Sequence, residues 1–201
     1  MEIGRYEPEE GVSSFERVQD GIYKHHAMFI RKNESGYDNL YYGGSEGAFV
    51  TTRKNGTWET RQILDVPVSD IVCYDLDGDG MDEIAIIEGL HGDKAVIFKQ
   101  GAGGYERALE LPLDFGHVLW GGSFLGEPGL ITGSRGGGMQ LSLYRFNPNR
   151  EEENRLSVRS ETVIDKGQAP AQIIVNEWKD SAEIIAANHG VAQLVRYRCS
   201  L

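Results

Sequence analysis

The chain is poor in cysteine: Cys73 and Cys199 are the only two in 201 residues, too few for a disulfide framework. Cys73 sits in the apolar run IVCY and reads as a small core residue. No apolar run approaches the roughly 18 residues that a membrane-spanning helix needs. The opening MEIGRYEPEE is acidic and polar, unlike a signal or transit peptide. These absences lead to the expectation of a cytoplasmic protein with no membrane partner. Positive charge is also in deficit: 20 Lys and Arg stand against 31 Asp and Glu, a formal net charge of −11. Nucleic-acid partners need a basic surface, so none is expected. No nucleophile elbow, phosphate loop or dinucleotide fingerprint occurs. No segment has the apolar spacing of an amphipathic helix.

What the chain does have is glycine, 26 residues of it, set between short runs of β-forming residues. Those runs recur in one order. Strands such as HHAMFI, SDIVCYD and GHVLWGG are followed by DNLYYGG, DEIAIIEG, PGLITGS and AEIIAANHG, then by GAFVTTRK, KAVIFKQ, QLSLYRF and AQLVRYR. WETRQIL, YERALEL and SFERVQ form a fourth, more polar type. Lettered a to d, the unit starts near His26, Asp70, His117 and Gln172, at spacings of 44, 47 and 55 residues. Four strands at such a period are the pattern of a propeller blade. The expected fold is therefore all-β: a single domain over 1–201, a β-propeller of four four-stranded blades at about 22–64, 67–111, 114–164 and 168–201. The last unit lacks a d strand of its own, so strand 14–19 (SFERVQ) is expected to complete it and close the ring. The alternatives are half of a larger propeller, including a homodimer of half-rings, and a two-sheet sandwich, which would not need the repeat.

The sharpest motif is the nine-residue loop Asp75-Leu76-Asp77-Gly78-Asp79-Gly80-Met81-Asp82-Glu83, directly before the strand IAII. Carboxylates at its first, third and fifth positions converge when the backbone turns tightly, and the glycines permit that turn. Oxygen donors suit a hard cation, and five carboxylates this close repel one another without one. The loop is not an EF-hand, since Ile86 stands where the bidentate glutamate would be and a strand follows. A loop of this kind between two strands resembles the FG-GAP repeats of integrin α-subunit propellers and the related VCBS repeats of bacterial proteins. The likeness spans SDIVCYDLDGDGMDEIAIIEGLHGD. It implies a Ca2+ site with Asp75, Asp77, Asp79 and Glu83 as ligands, joined by the Met81 carbonyl. The matching stretches RKNESGYDN, FLGEPG and WKDSAE have lost most of the carboxylates or shortened the loop, so one calcium is expected. Its role reads as a staple on the hairpin, with regulation as the alternative.

A second pattern is polar. Overlaying the blades aligns His26, Asp70, His117 and Gln172 at the start of strand a. The same overlay aligns Glu46, His91, Arg135 and His189, each before a glycine, at the b–c turn. The b–c and d–a connections of a propeller share one rim, so these side chains are expected at one mouth of the channel. Histidine, carboxylate and arginine together bind metals, polyols or anions and also serve acid–base chemistry. The simpler account is that polar residues before glycine are turn formers, and that histidines near a propeller axis pair across it. The pieces GLHGD, FGHVLWGG, TGSRGG and AANHG are similar to the VCBS-type propeller of aldos-2-ulose dehydratases and their bacterial relatives. That resemblance implies a sugar-derived substrate and metal-assisted dehydration or isomerisation at the mouth. It makes His26, His91, His117 and His189 candidate ligands or proton carriers. Asp70 and Glu46 become metal ligands or bases, and Arg135 a holder of a carbonyl or hydroxyl. The catalytic candidates are thus His26, Asp70, His91, His117, Arg135 and His189, with a second divalent metal at the ring. The ligand-binding candidates are Glu46, His91, Arg135, His189 and Gln172. The dehydratase resemblance would imply a cupin-like second domain, and none is expected in this chain.

Trp58 and Trp178 occupy blade positions where an aromatic packs between sheets, and both are expected in the core rather than as sugar platforms. Trp120 is expected to point into a neighbouring blade. The run from Arg150 to Arg155 reads as a solvated hairpin tip. Three functions follow. The leading one is a calcium-binding module for a small polar, sugar-like ligand at the channel mouth. The others are a metal-dependent sugar lyase or isomerase and a protein-interaction scaffold. Whether the chain is an enzyme stays open.

Overall fold

Blade 2 shows why these runs become strands. Its inner strands IVCY, IAII and AVIF are apolar without alternation, the pattern of strands covered on both faces. In the computed structural model, which describes residues 2–9, 11–32, 38–148 and 155–200, Ile84, Ala85, Ile86 and Ile87 all have no solvent exposure. At about 1.5–3 kcal/mol for each large side chain fully buried, this stacking is the main source of stability. The outermost strand is half polar because only one of its faces is covered.

A short hairpin, β1 (Glu2–Glu7) and β2 (Gly11–Arg17), precedes the blades. Blade 1 contains β3 (Ala27–Arg31), β4 (Asn39–Gly44), β5 (Gly47–Lys54) and β6 (Thr57–Leu64). Blade 2 contains β7 (Val68–Tyr74), β8 (Glu83–Glu88), β9 (Lys94–Gly101) and β10 (Gly104–Pro112). Blade 3 contains β11 (Gly116–Phe124), β12 (Glu127–Ser134), β13 (Leu141–Phe146) and β14 (Val158–Asp165). Blade 4 contains β15 (Pro170–Trp178), β16 (Ser181–Asn188) and β17 (Gln193–Ser200). Each blade is an antiparallel meander in sequence order, and the four are arranged as a β-propeller. The described residues include no α-helix, only a 3-10 turn at His189–Val191. No helix is long and apolar enough to cross a membrane.

The blades pack through three cores. Ile84, Ile86 and Cys73 of blade 2 meet Tyr41, Val50 and Leu64 of blade 1. Ala85, Ile87 and Ile97 on the other face meet Leu119, Leu130 and Tyr144 of blade 3. Ile131 and Leu143 of blade 3 then meet Ile173 and Ile184 of blade 4. The period of two along a strand thus assigns alternate residues to alternate neighbours. Both cysteines are free, Cys73 buried among apolar neighbours and Cys199 half-buried. No cluster of described residues joins blade 4 to blade 1. The faces that would meet there keep apolar side chains in solvent: Ile174 (58 % exposed) and Leu194 (76 %) on blade 4, Met28 (64 %) on blade 1. A seam separates them.

The N-terminal strand does not close the ring as expected. Blade 4 has three strands, and β2 pairs with β1. A local hairpin orders few residues, whereas recruiting β2 to blade 4 closes a loop of nearly the whole chain. Arg17 and Glu2 pair at the open end of this hairpin, 3.0 Å apart. The segment that follows lies on blade 1: Thr60 Oγ1 donates to Val18 O (3.3 Å), and Ser45 N donates to Tyr23 O (2.9 Å).

The tryptophans divide. Trp120 packs against the core shared with blade 4, while Trp178 is exposed, contrary to expectation, because blade 1 does not cover it across the seam. Trp58 is half-buried, with the Arg53 guanidinium over its ring at 5.4 Å. The charge run from Arg150 lies, but for Arg155, outside the described residues, as does most of RKNESGYDN.

Candidate functional site

Three imidazoles meet at one mouth. His26 precedes β3, His91 lies in the β8–β9 turn and His117 is the second residue of β11. Their ring centroids are 5.0 Å (His26–His91), 5.6 Å (His26–His117) and 4.7 Å (His91–His117) apart. Each offers one nitrogen within 4.8 Å of the others.

The backbone explains how they arrive there. A one-residue bulge interrupts the first strand of three blades, leaving Ser69, His117 and Ala171 unpaired. Such a bulge re-aims the side chain that it carries. It also corrects the sequence overlay. Pairing across the strands makes His26, Ser69, His117 and Ala171 equivalent, with Ala27, Asp70, Val118 and Gln172 one residue further on. A one-residue slip moves a side chain to the opposite face, so Asp70 and Gln172 do not belong to the histidine level.

Each histidine of that level reaches the carbonyl of its equivalent in the next blade. His26 Nδ1 lies 2.7 Å from Ser69 O, and His117 Nδ1 lies 2.9 Å from Ala171 O. A carbonyl only accepts, so both Nδ1 atoms carry hydrogen, and in the neutral imidazole the lone pair is then on Nε2. That tautomer is the one a metal ligand needs. His91 adopts a left-handed backbone (φ 54°), and its N–H donates to Ser69 Oγ at 3.2 Å. Gly92 is required behind it, since a Cβ there would overlap the Glu88 carbonyl oxygen. The His91 ring is stacked between His117 and Phe115, at 4.7 and 4.8 Å, and its buried Nδ1 has no hydrogen-bond partner. Burial lowers the pKa of His91 and of His117, and nearby imidazole and Arg135 charge lowers both further.

The remaining candidates separate. Arg135 lies over Phe115 at 5.7 Å and donates to His189 Nδ1 at 3.0 Å, continuing the stack of His117, His91 and Phe115 outward. Phe115 was not anticipated, and its only sequence signal is its place two residues before His117. Glu46 is tied down, its carboxylate accepting the Tyr23 N–H at 2.8 Å. Asp70 is a strap between blades: its two oxygens accept the N–H groups of Ile71 (2.9 Å) and Leu119 (2.7 Å), and burial pushes its carboxyl up to about 6. Gln172 points the same way at the seam and is exposed.

In the acidic loop, ligand atoms of Asp75, Asp77 and Glu83 lie within 4.8 Å of one another, an oxygen set suited to a hard cation. The backbone holds them: Asp75 accepts from Gly78 N (2.7 Å) and Gly80 N (3.0 Å), and Glu83 accepts from Leu76 N (2.8 Å). Gly78 and Gly80 have φ of 74° and 87°, the conformation that favours glycine. Burial pushes the Glu83 carboxyl up to about 7. A cation is already present, however. Lys99 Nζ, on β9, lies 2.6 Å from Asp77, 2.8 Å from Asp79 and 3.0 Å from Glu83. Burial disfavours its charge, but the hydrogen bonds to these carboxylates outweigh that and raise its pKa. Asp82 turns away to a bidentate pair with Arg31 of blade 1, at 2.8 Å for both contacts.

A groove of about 600 Å³ lies between the N-terminal hairpin and blade 1, lined by Ile3, Gly4, Ser14, Glu16, Arg53 and Trp58. Since Arg53 covers the Trp58 ring, that tryptophan is no open stacking platform. No family model matches the chain, and no curated protein matches it.

Proposed function

We propose that the protein binds a small polar, sugar-like ligand at the propeller mouth through a divalent transition metal held by His26, His91 and His117. The observation that supports this reading is the convergence of three imidazole nitrogens within 4.8 Å, two of them on rings fixed by backbone carbonyls. Imidazole donors favour zinc-class metals over calcium, and three protein ligands leave coordination positions for hydroxyl groups of a ligand. Arg135 and His189 stand beside that position as polar contacts. Protein purified without an affinity tag is expected to retain about one equivalent of zinc, manganese or iron, as in three-ligand sites generally. His117→Ala is expected to weaken zinc uptake by at least tenfold in calorimetry, the scale of loss that even an outer-shell ligand change produces. Wild-type protein that takes up no transition metal would remove the reading.

A metal-dependent lyase or isomerase acting on a sugar is the second reading. The Arg135–His189 contact at 3.0 Å favours it, because it sets a titratable imidazole beside a fixed cation at the same mouth. Turnover of keto-sugars by the metal-loaded protein separates it from simple binding.

A further inference from the structure

The third strand carries a cation in three blades. In β9, β13 and β17 it follows the aromatic residue that pairs with the first core residue of the second strand. Phe98 pairs with Ile84, Tyr144 with Leu130 and Tyr197 with Ile184. The residues that follow these aromatics are Lys99, Arg145 and Arg198. In blade 1 the pair is Leu40 and Thr51, and the next residue is Thr52.

Each cation reaches back toward the turn between the first two strands. Blade 3 has a short turn without a carboxylate cluster, and there Arg145 donates to three carbonyls: Glu127 O (2.5 Å), Pro128 O (2.7 Å) and Phe124 O (2.5 Å). Blade 4 has Glu183 near Arg198 at 3.8 Å. Blade 2 has the long acidic turn, and Lys99 sits among three of its carboxylates with its side chain 5 % exposed. The role is clear in blades 2 and 3, whereas in blade 4 Arg198 is exposed and Arg196 lies closer to Glu183, at 3.3 Å.

We infer that Lys99 is the permanent cation of the Asp75–Glu83 loop and stands where the sequence leads one to expect calcium. Each of the five carboxylates has a partner without a metal, although two cations do not neutralise all five. Lys99 answers Asp77, Asp79 and Glu83, Arg31 answers Asp82, and Asp75 is satisfied by two backbone N–H groups. Calcium requires six to eight oxygens at about 2.3–2.6 Å around one point, and an ammonium already in contact with three of those carboxylates excludes it. The trace of the other arrangement is Asp77 Oδ1, which is buried and has no hydrogen-bond partner.

The test is calcium titration of the wild-type chain beside Lys99→Met, which keeps most of the unbranched stem, ends one atom short of the ammonium and removes the charge. Wild type stripped beforehand of transition metal is expected to show no calorimetric calcium uptake and no change in Tm between EDTA and roughly 1 mM CaCl2, a concentration that fills even weak protein sites. Lys99→Met is expected to have a lower Tm in EDTA, to regain it with calcium and to bind one ion where wild type binds none. One-to-one calcium uptake by this stripped wild type, or a Tm that calcium raises, overturns the inference. So does a folded Lys99→Met that ignores calcium. If that variant does not fold, the wild-type titration decides alone.

Discussion

Single side chains at the blade boundaries do more than fill space. Arg31 and Asp82 join blade 1 to blade 2 in a half-buried bidentate pair. Hydrogen bonds between charged groups contribute more than neutral ones, and loss of one partner leaves the other desolvated. Arg31→Ala is therefore expected to cost about 1.5–3 kcal/mol in denaturant unfolding, with Asp82→Asn milder because the amide keeps one acceptor. Equal stability of Arg31→Ala and wild type would mean that the pair is solvated and idle. Asp70 works in the same way with backbone donors, which is why it is no base waiting at the mouth.

At the scale of elements, the turns and bulges decide what reaches the mouth. The β8–β9 turn presents His91 through a left-handed residue backed by Gly92. Gly92→Ala would force the turn open, so it is expected to lower zinc affinity at the three histidines by at least tenfold, the size of effect known for lost ligand orientation. Its circular dichroism should stay β-rich, since β8 and β9 keep their cores; zinc affinity equal to wild type would show that the turn does not position His91. The strands themselves were legible in the sequence, because runs such as IAII and AVIF are long, apolar and bounded by glycines. The convergence of His26, His91 and His117 was legible as well, since all three sit at one rim by topology. The bulges were not legible, because an extra residue at Ser69, His117 or Ala171 has no compositional mark. Without them, Asp70 and Gln172 fell in register with the histidines by one residue. Lys99 was also missed: it lies twenty residues from the nearer of its aspartates, and only a fold brings strand β9 against the loop.

For the whole molecule, the seam between blades 4 and 1 is the dominant fact. Ile184 lies in a core with blade 3 and has no exposure, whereas Leu194 on the open face is 76 % exposed. Ile184→Ala is expected to cost about 2–5 kcal/mol, and Leu194→Ala to stay within about 0.5 kcal/mol. Comparable losses at both sites in urea unfolding would show that the open face is covered in solution.

The same seam sets the order in which the fold comes apart. In a closed ring every blade has two neighbours, and none can leave without breaking two interfaces. Here blade 4 is held by one interface, and blades 2 and 3 by two each, so the assembly behaves as a linear array of coupled units. Blade 1 is likewise held by one blade interface, so opening starts at either end of the array, at β15–β17 or at β3–β6, and runs inward blade by blade. The three-histidine cluster draws on blades 1, 2 and 3 and needs only a carbonyl from blade 4, at Ala171. Fraying at the blade 4 end therefore frees the ring of His117 to rotate before any interface that carries the three histidines has opened, whereas fraying of blade 1 takes His26 away.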